Sequence, residues 1–142
     1  MKKLLLVLCA LLFATVTFAQ KKEKIKGSKT VTVAQKEIES FENLEVEDNI
    51  EIILVKGNVQ SLEIEADDNL HEVIIPELKG NTLRIFTSKE VTASKRFSIR
   101  VTYTDALKTV TAKNEVVLNA MSDLQLENIT IKNLDYSKSY LN

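Results

Sequence analysis

Cysteine, histidine, proline and glycine are almost missing from this chain, whose 142 residues include one Cys, one His, one Pro and three Gly. Each scarcity excludes a class of chemistry. The lone Cys9 lies in the N-terminal apolar run, so the rest of the chain must hold together through an apolar core instead of disulfides. One histidine leaves little material for a transition-metal centre, and three glycines leave none for a glycine-rich phosphate loop. No excess of positive charge is present either: 19 basic and 20 acidic side chains are intermixed, for a net charge of −1. A nucleic-acid partner is therefore not expected, and neither is a cofactor.

The first nineteen residues form an address. Met1-Lys2-Lys3 is a positive start, Leu4 to Val16 is almost wholly apolar, and Thr17-Phe18-Ala19 puts small residues at the cleavage positions before Gln20. The apolar run is too short to span a bilayer comfortably, so export by a signal peptide over 1–19 is expected, with no transmembrane segment in what remains. The destination is the periplasm, the outer-membrane surface or the extracellular space. A lipobox reading of Leu6-Val7-Leu8-Cys9 suffers from the bulk of Leu8 before the cysteine. Without Lys2 and Lys3, 17 basic residues face 20 acidic ones, a net charge of −3.

The chain beyond Ala19 is short enough for one domain. Residues 20–29 are lysine-rich with only Ile25 apolar, and read as a flexible lead-in to a domain over 30–142. From Thr30 the apolar period is two. Val31 and Val33 alternate with polar neighbours, as do Ile50, Ile52 and Leu54, then Leu62, Ile64 and Ala66, then Phe97, Ile99, Val101 and Tyr103. One short helix is expected near 68–74, where Leu70, Val73 and Ile74 have helical spacing, Asp67 or Asp68 can cap the start, and Pro76 ends it.

Leu107-Lys-Thr-Val-Thr-Ala-Lys-Asn114 recurs nineteen positions later as Leu126-Glu-Asn-Ile-Thr-Ile-Lys-Asn133. A repeat this short marks a chain that stacks on itself. The same apolar spacing occurs at Phe41/Leu44/Val46 and Val59/Leu62/Ile64, with weaker copies at Gly80/Leu83/Ile85 and Arg96/Ile99/Val101. Successive copies start 18, 21, 16, 11 and 19 residues apart. A spacing of 11 is too tight for a full coil, so the middle should be hairpin-like or irregular. The expected fold is all-β, a β-helix-like solenoid, with an antiparallel β-sandwich as the alternative.

The stretches "FENLEVEDNIEIILVKG" from Phe41, "SLEIEADDNLHEVI" from Ser61 and "LKGNTLRI" from Leu78 resemble the auto-transporter adhesin head domain, or head GIN domain. That resemblance implies a right-handed β-helix-like solenoid in an exported protein of a Gram-negative bacterium, and carries over no catalytic or ligand residues. One departure is visible: where the family runs into Ser-Gly turns, this chain reads Thr111-Ala112-Lys113-Asn114-Glu115. The chain stops at Asn142 soon after the second repeat copy, as a truncated or uncapped last coil would, and an uncapped coil offers a template for self-association.

Candidate chemistry is thin. Glu65, Asp67, Asp68 and Asn69 could offer oxygens to calcium, but lack the glycine and distant glutamate of a calcium loop, which favours a cap and turn. His71 has Glu72 adjacent but no implied nucleophile. Lys95, Arg96 and Arg100 would serve a polysaccharide-cleaving β-helix, or simply face solvent. Tyr103, Tyr136 and Tyr140 are the candidate ligand contacts, able to stack on sugar rings if they share a face. The expectation is a non-enzymatic exported interaction module meeting a protein or glycan surface ligand. A carbohydrate-binding module and a polysaccharide-degrading enzyme are the alternatives.

Overall fold

The computed structural model describes residues 21–124, 126 and 128–141, so the signal-peptide reading of 1–19, with Cys9, falls outside the described residues. Thirteen strands account for most of the described chain: β1 Lys24–Lys26, β2 Val31–Glu37, β3 Asn43–Val46, β4 Glu51–Lys56, β5 Ser61–Asp67, β6 Ile74–Lys79, β7 Thr82–Thr87, β8 Glu90–Ala93, β9 Phe97–Tyr103, β10 Thr109–Ala112, β11 Val117–Ala120, β12 Thr130–Asn133 and β13 Lys138–Tyr140. The all-β expectation holds.

Two mixed sheets share one core. The first has the order β12-β10-β3-β7-β6 and the second β13-β11-β4-β9-β5-β2. In each, four neighbouring strands run parallel, and antiparallel strands finish one side: β6 on β7, and β5 with β2 beyond β9. The sheets are therefore neither wholly antiparallel, as the sandwich alternative would have them, nor wholly parallel. β5 and β6 come from the middle of the chain, where the apolar spacing is irregular, whereas β2 precedes it. Pro76 sits in β6, the edge strand, where its missing N–H costs no ladder bond.

Period two builds the core directly, since alternate side chains share a face. Leu44 and Val46 of β3 align with Leu83 and Ile85 of β7 and with Val110 and Ala112 of β10, and all six are buried. In the other sheet Ile52, Leu54, Ile64, Ile99, Val101 and Leu118 form the facing layer. Each such aliphatic side chain contributes about 1.5–3 kcal/mol.

Four expectations need correction. The repeat does not pair at its sequence spacing of nineteen: Val110 lies opposite Ile131 and Val117 opposite Lys138, a register of twenty-one. Val59 is 76% exposed and leaves the core to its neighbour. Gln60 is buried there instead, its Nε2 donating to Phe41 O and its Oε1 accepting from Phe41 N, both at 2.8 Å. The helix shrinks to a single 3-10 turn, Asp68–Leu70, because Ile74 is drawn into β6; Leu70, Val73 and Ile74 are all buried without a full helical face. Asp67 makes no side-chain cap there, since its carboxylate is committed elsewhere.

The lead-in is the fourth correction. Lys24–Lys26 forms a strand parallel to β8, and Gly27 N donates to Ala93 O at 2.7 Å. Asp67, fully buried, holds this strap: it accepts from Lys29 N at 2.9 Å, Lys95 N at 3.1 Å and Arg96 N at 2.9 Å. Burial alone would push its carboxyl up, but the three N–H donors and the charge of Lys95 outweigh it and hold it below the usual carboxylate range. Asp68 accepts from Ser28 Oγ, while Asn69 accepts from Ser28 N at 2.8 Å and donates to Lys26 O at 2.9 Å. Asp67, Asp68 and Asn69, three of the four residues suggested for calcium, thus fasten the N-terminal segment.

Candidate functional site

The corner turns between the two sheets stack in a column. Because Val46, Ala112 and Asn133 share one row and Glu51, Val117 and Lys138 another, the intervening turns 47–50, 113–116 and 134–137 lie one above the next. Lys113 N donates to Val46 O at 2.9 Å and Leu134 N to Ala112 O at 2.8 Å, locking successive turns together. Glu115 N donates to Asp135 O at 3.0 Å within the column.

These turns use positive φ without glycine. Asp48 has φ 73°, the pair Asn114 and Glu115 have 53° and 64°, and the pair Asp135 and Tyr136 have 53° and 65°. Asn and Asp tolerate the left-handed region; Glu and especially Tyr do so only at a cost. The chain bends here without the Ser-Gly turns of the family pattern.

Beside the column lies an open groove of about 730 Å³. One wall is the column itself, with Asp48, Asn114, Glu115, Asp135 and Tyr136; the other is β8 and the strap, with Lys22, Glu90 and Val91. Asp48 anchors the lower end, its Oδ2 accepting from Thr87 N at 2.9 Å, Thr87 Oγ1 at 2.8 Å and Lys22 Nζ at 2.8 Å. Burial opposes its ionisation, but Lys22 and Thr87 prevail and hold the carboxyl below its ordinary range. Asn49 Nδ2 donates to Val91 O at 3.1 Å and ties the column to β8.

The three candidate tyrosines separate. Tyr136 is 89% exposed and lines the groove. Tyr140 is 60% exposed on β13, opposite Asn119. Tyr103 is 1% exposed, a core residue with Lys56 Nζ 5.5 Å from its ring centroid, and offers no free ring face. Its place on the inward row Phe97, Ile99, Val101, Tyr103 explains this: a residue in phase with a buried row is buried.

The other candidates are occupied structurally. Arg100 pairs with Glu63 at 3.0 Å across β9 and β5, and Arg96 lies 3.4 Å from Glu65 and 3.6 Å from Glu51. His71 Nε2 sits 2.9 Å from Thr32 Oγ1, turned to the β2 strand and not to Glu72. On the other sheet, Arg84 donates to Glu47 at 3.0 and 3.2 Å and lies 4.2 Å over Phe86; Glu47 raises its already high pKa. Among the described residues no group of three His, Cys, Asp or Glu side chains could hold a metal ion.

Sequence reasoning named Tyr136 but missed Asn114, Glu115, Asp135 and the groove. The available signal was the pair of polar dipeptides Asn114-Glu115 and Asp135-Tyr136, twenty-one residues apart, which read as turns once the register is known.

Fold and groove together define an all-β domain with a stacked polar corner. The family described as "Putative auto-transporter adhesin, head GIN domain" matches residues 40–139, and the chain belongs to it. Solved structures share the fold. A protein described as a putative adhesin from Bacteroides fragilis NCTC 9343 is similar at TM-score 0.72 and 20% identity, over 82% of this chain and 55% of its own. Another so described, from Parabacteroides merdae ATCC 43184, gives TM-score 0.65 at 20% identity, over 78% and 47%. A protein described as a putative lipid binding protein from Parabacteroides distasonis ATCC 8503 gives TM-score 0.65 at 15% identity, over 78% and 49%. This chain spans about half the length of these structures. A comparison with curated proteins returns no match. Among the described residues no helix is long and apolar enough to cross a membrane.

Proposed function

We propose that the chain is a non-enzymatic interaction module, exported to the cell envelope and working as an adhesin head, and that its strands wind as stacked coils. Consecutive strands alternate between sheets, β3 to β4, β10 to β11 and β12 to β13, which supports the coil reading. The right-handed sense is the one the family resemblance implies. The stack supplies a frame with polar, ion-paired outer faces and the open groove beside the turn column.

The observation that carries the interaction reading is this groove beside the turn column, with an aromatic ring presented to solvent. The displaced carboxyls, Asp48 and Asp67, are consumed by structural bonds, which favours binding over catalysis. The test is adhesion of protein-coated beads to surfaces bearing glycans or extracellular proteins, alongside an assay for released reducing ends. Saturable adhesion without release supports the proposal; release of product from a polysaccharide would replace it with the enzyme reading.

A carbohydrate-binding module is the second reading, favoured by the exposed rings of Tyr136 and Tyr140. The lipid-binding description of one structural neighbour finds less support, because the groove is lined mainly by charged and amide side chains. Self-association is part of the proposal: β12 and β13 are edge strands of their sheets, the place where a strand of a second copy would add.

A further inference from the structure

We propose that the corner groove is a subsite for a saccharide without negative charge, with the Tyr136 ring as its stacking platform. The inference rests on the interaction-module reading and adds the place and the ligand class.

The ring comes first. Tyr136 is 89% exposed at φ 65°, so its side chain receives almost no burial in return for an unfavourable backbone. A large aromatic held in this way lowers the stability of the turn and gives the free protein nothing. A ligand laid on the ring supplies the missing contact, and an amphipathic Tyr suits a partner with one apolar face and a hydroxylated rim.

The groove walls set the ligand's charge. Lys22 is neutralised by Asp48 at 2.8 Å, whereas Glu90, Glu115 and Asp135 make no ion pair among the described residues. Three unpaired carboxylates accept hydroxyl or ammonium donors through charge-assisted hydrogen bonds and repel uronates, sulfates and phosphates. They do not converge on a common point as a cation would require. Asn114, in the same wall, adds an amide that can donate and accept. Stacking plus many hydrogen-bond acceptors, without a metal or a cationic anchor, is recognition chemistry for neutral or amino sugars.

The test uses purified protein on an array of neutral, amino, uronic and sulfated oligosaccharides, with Tyr136→Gly and Val59→Ala beside the wild type. Wild type should bind neutral or amino sugars and reject the acidic ones. Tyr136→Gly should weaken that binding at least tenfold while its melting temperature is kept or raised, because glycine relieves the positive φ. Val59→Ala, an exposed residue outside the groove, should stay within twofold. Undiminished binding by Tyr136→Gly, a preference for acidic sugars, or a parallel fall of melting temperature and binding would each overturn the subsite. Bead adhesion to protein surfaces with no array binding would also overturn it, yet leave the interaction module standing. Loss of adhesion everywhere would remove both.

Discussion

Val110 of β10 lies opposite Ile131 of β12, although the repeated sequence would set it against Ile129. The apolar pattern is blind to this difference. A slip of two residues leaves every side chain on the same face, so Ile129 and Ile131 satisfy period two equally well. The turns decide. A register of twenty-one stacks Asp135-Tyr136 on Asn114-Glu115, two pairs with matching positive φ, whereas nineteen would set them on Val116-Val117.

Ile131→Asp tests the last coil. The half-buried Ile131 packs on the core, and a carboxylate there lacks a partner. The expected outcome is lost amide protection in β12 and β13, at a cost of about 1–3 kcal/mol, with β3 and β4 still protected. Hydrogen exchange reads this strand by strand.

Gln60 completes a layer where a strand would otherwise end. Its side-chain amide meets both backbone groups of Phe41, and Gln60→Leu would leave that buried N–H and C=O without these partners. The expected loss is about 2 kcal/mol or more, read by urea denaturation, despite the gain of an apolar side chain.

The strap depends on a close approach. A Cβ at Gly27 would lie 2.0 Å from Asp67 Oδ2 and 2.7 Å from its Cγ, so Gly27→Ala must displace the buried carboxylate. Exchange of the Lys24–Lys26 amides should rise sharply, and the groove wall formed by Lys22 should loosen with it.

Acid should weaken the protein through Asp67 and Asp48. Both folded pKa values are depressed, so their stabilisation is complete above the unfolded value of about 3.9 and is lost as pH falls below it toward the folded values. Melting temperature should hold from pH 7 to about 5 and then decline. In Asp67→Asn the whole curve should drop and the acid limb should flatten.

Much of this was legible in the sequence. Strict alternation identified Ile52, Leu54, Ile64, Ile99 and Val101 as inward, and all are buried. The repeat announced stacked neighbours, and β10 and β12, which carry its two copies, pair side by side. The same alternation should have removed Tyr103 from the candidate ligand contacts, since it is in phase with a buried row. What the sequence hid depends on distant partners. Asp67 looks like a cap until Lys29, Lys95 and Arg96 are brought around it, and the groove exists only when Lys22 and Glu90 meet turns far along the chain. Period two reports which face a residue takes; it does not report which neighbour it meets.

The register is the claim on which the turn column and groove both stand, and paired cysteines measure it directly. Directly opposed residues on neighbouring strands lie about 4.8 Å apart, within disulfide range, while a diagonal offset of two residues exceeds it. The double variant Val110→Cys with Ile131→Cys should cross-link rapidly under mild oxidation and keep its melting temperature, whereas Val110→Cys with Ile129→Cys should remain reduced. Efficient bonding of the 110–129 pair and none of the 110–131 pair would contradict the register, and with it the stacked corner that holds Tyr136 over Glu115.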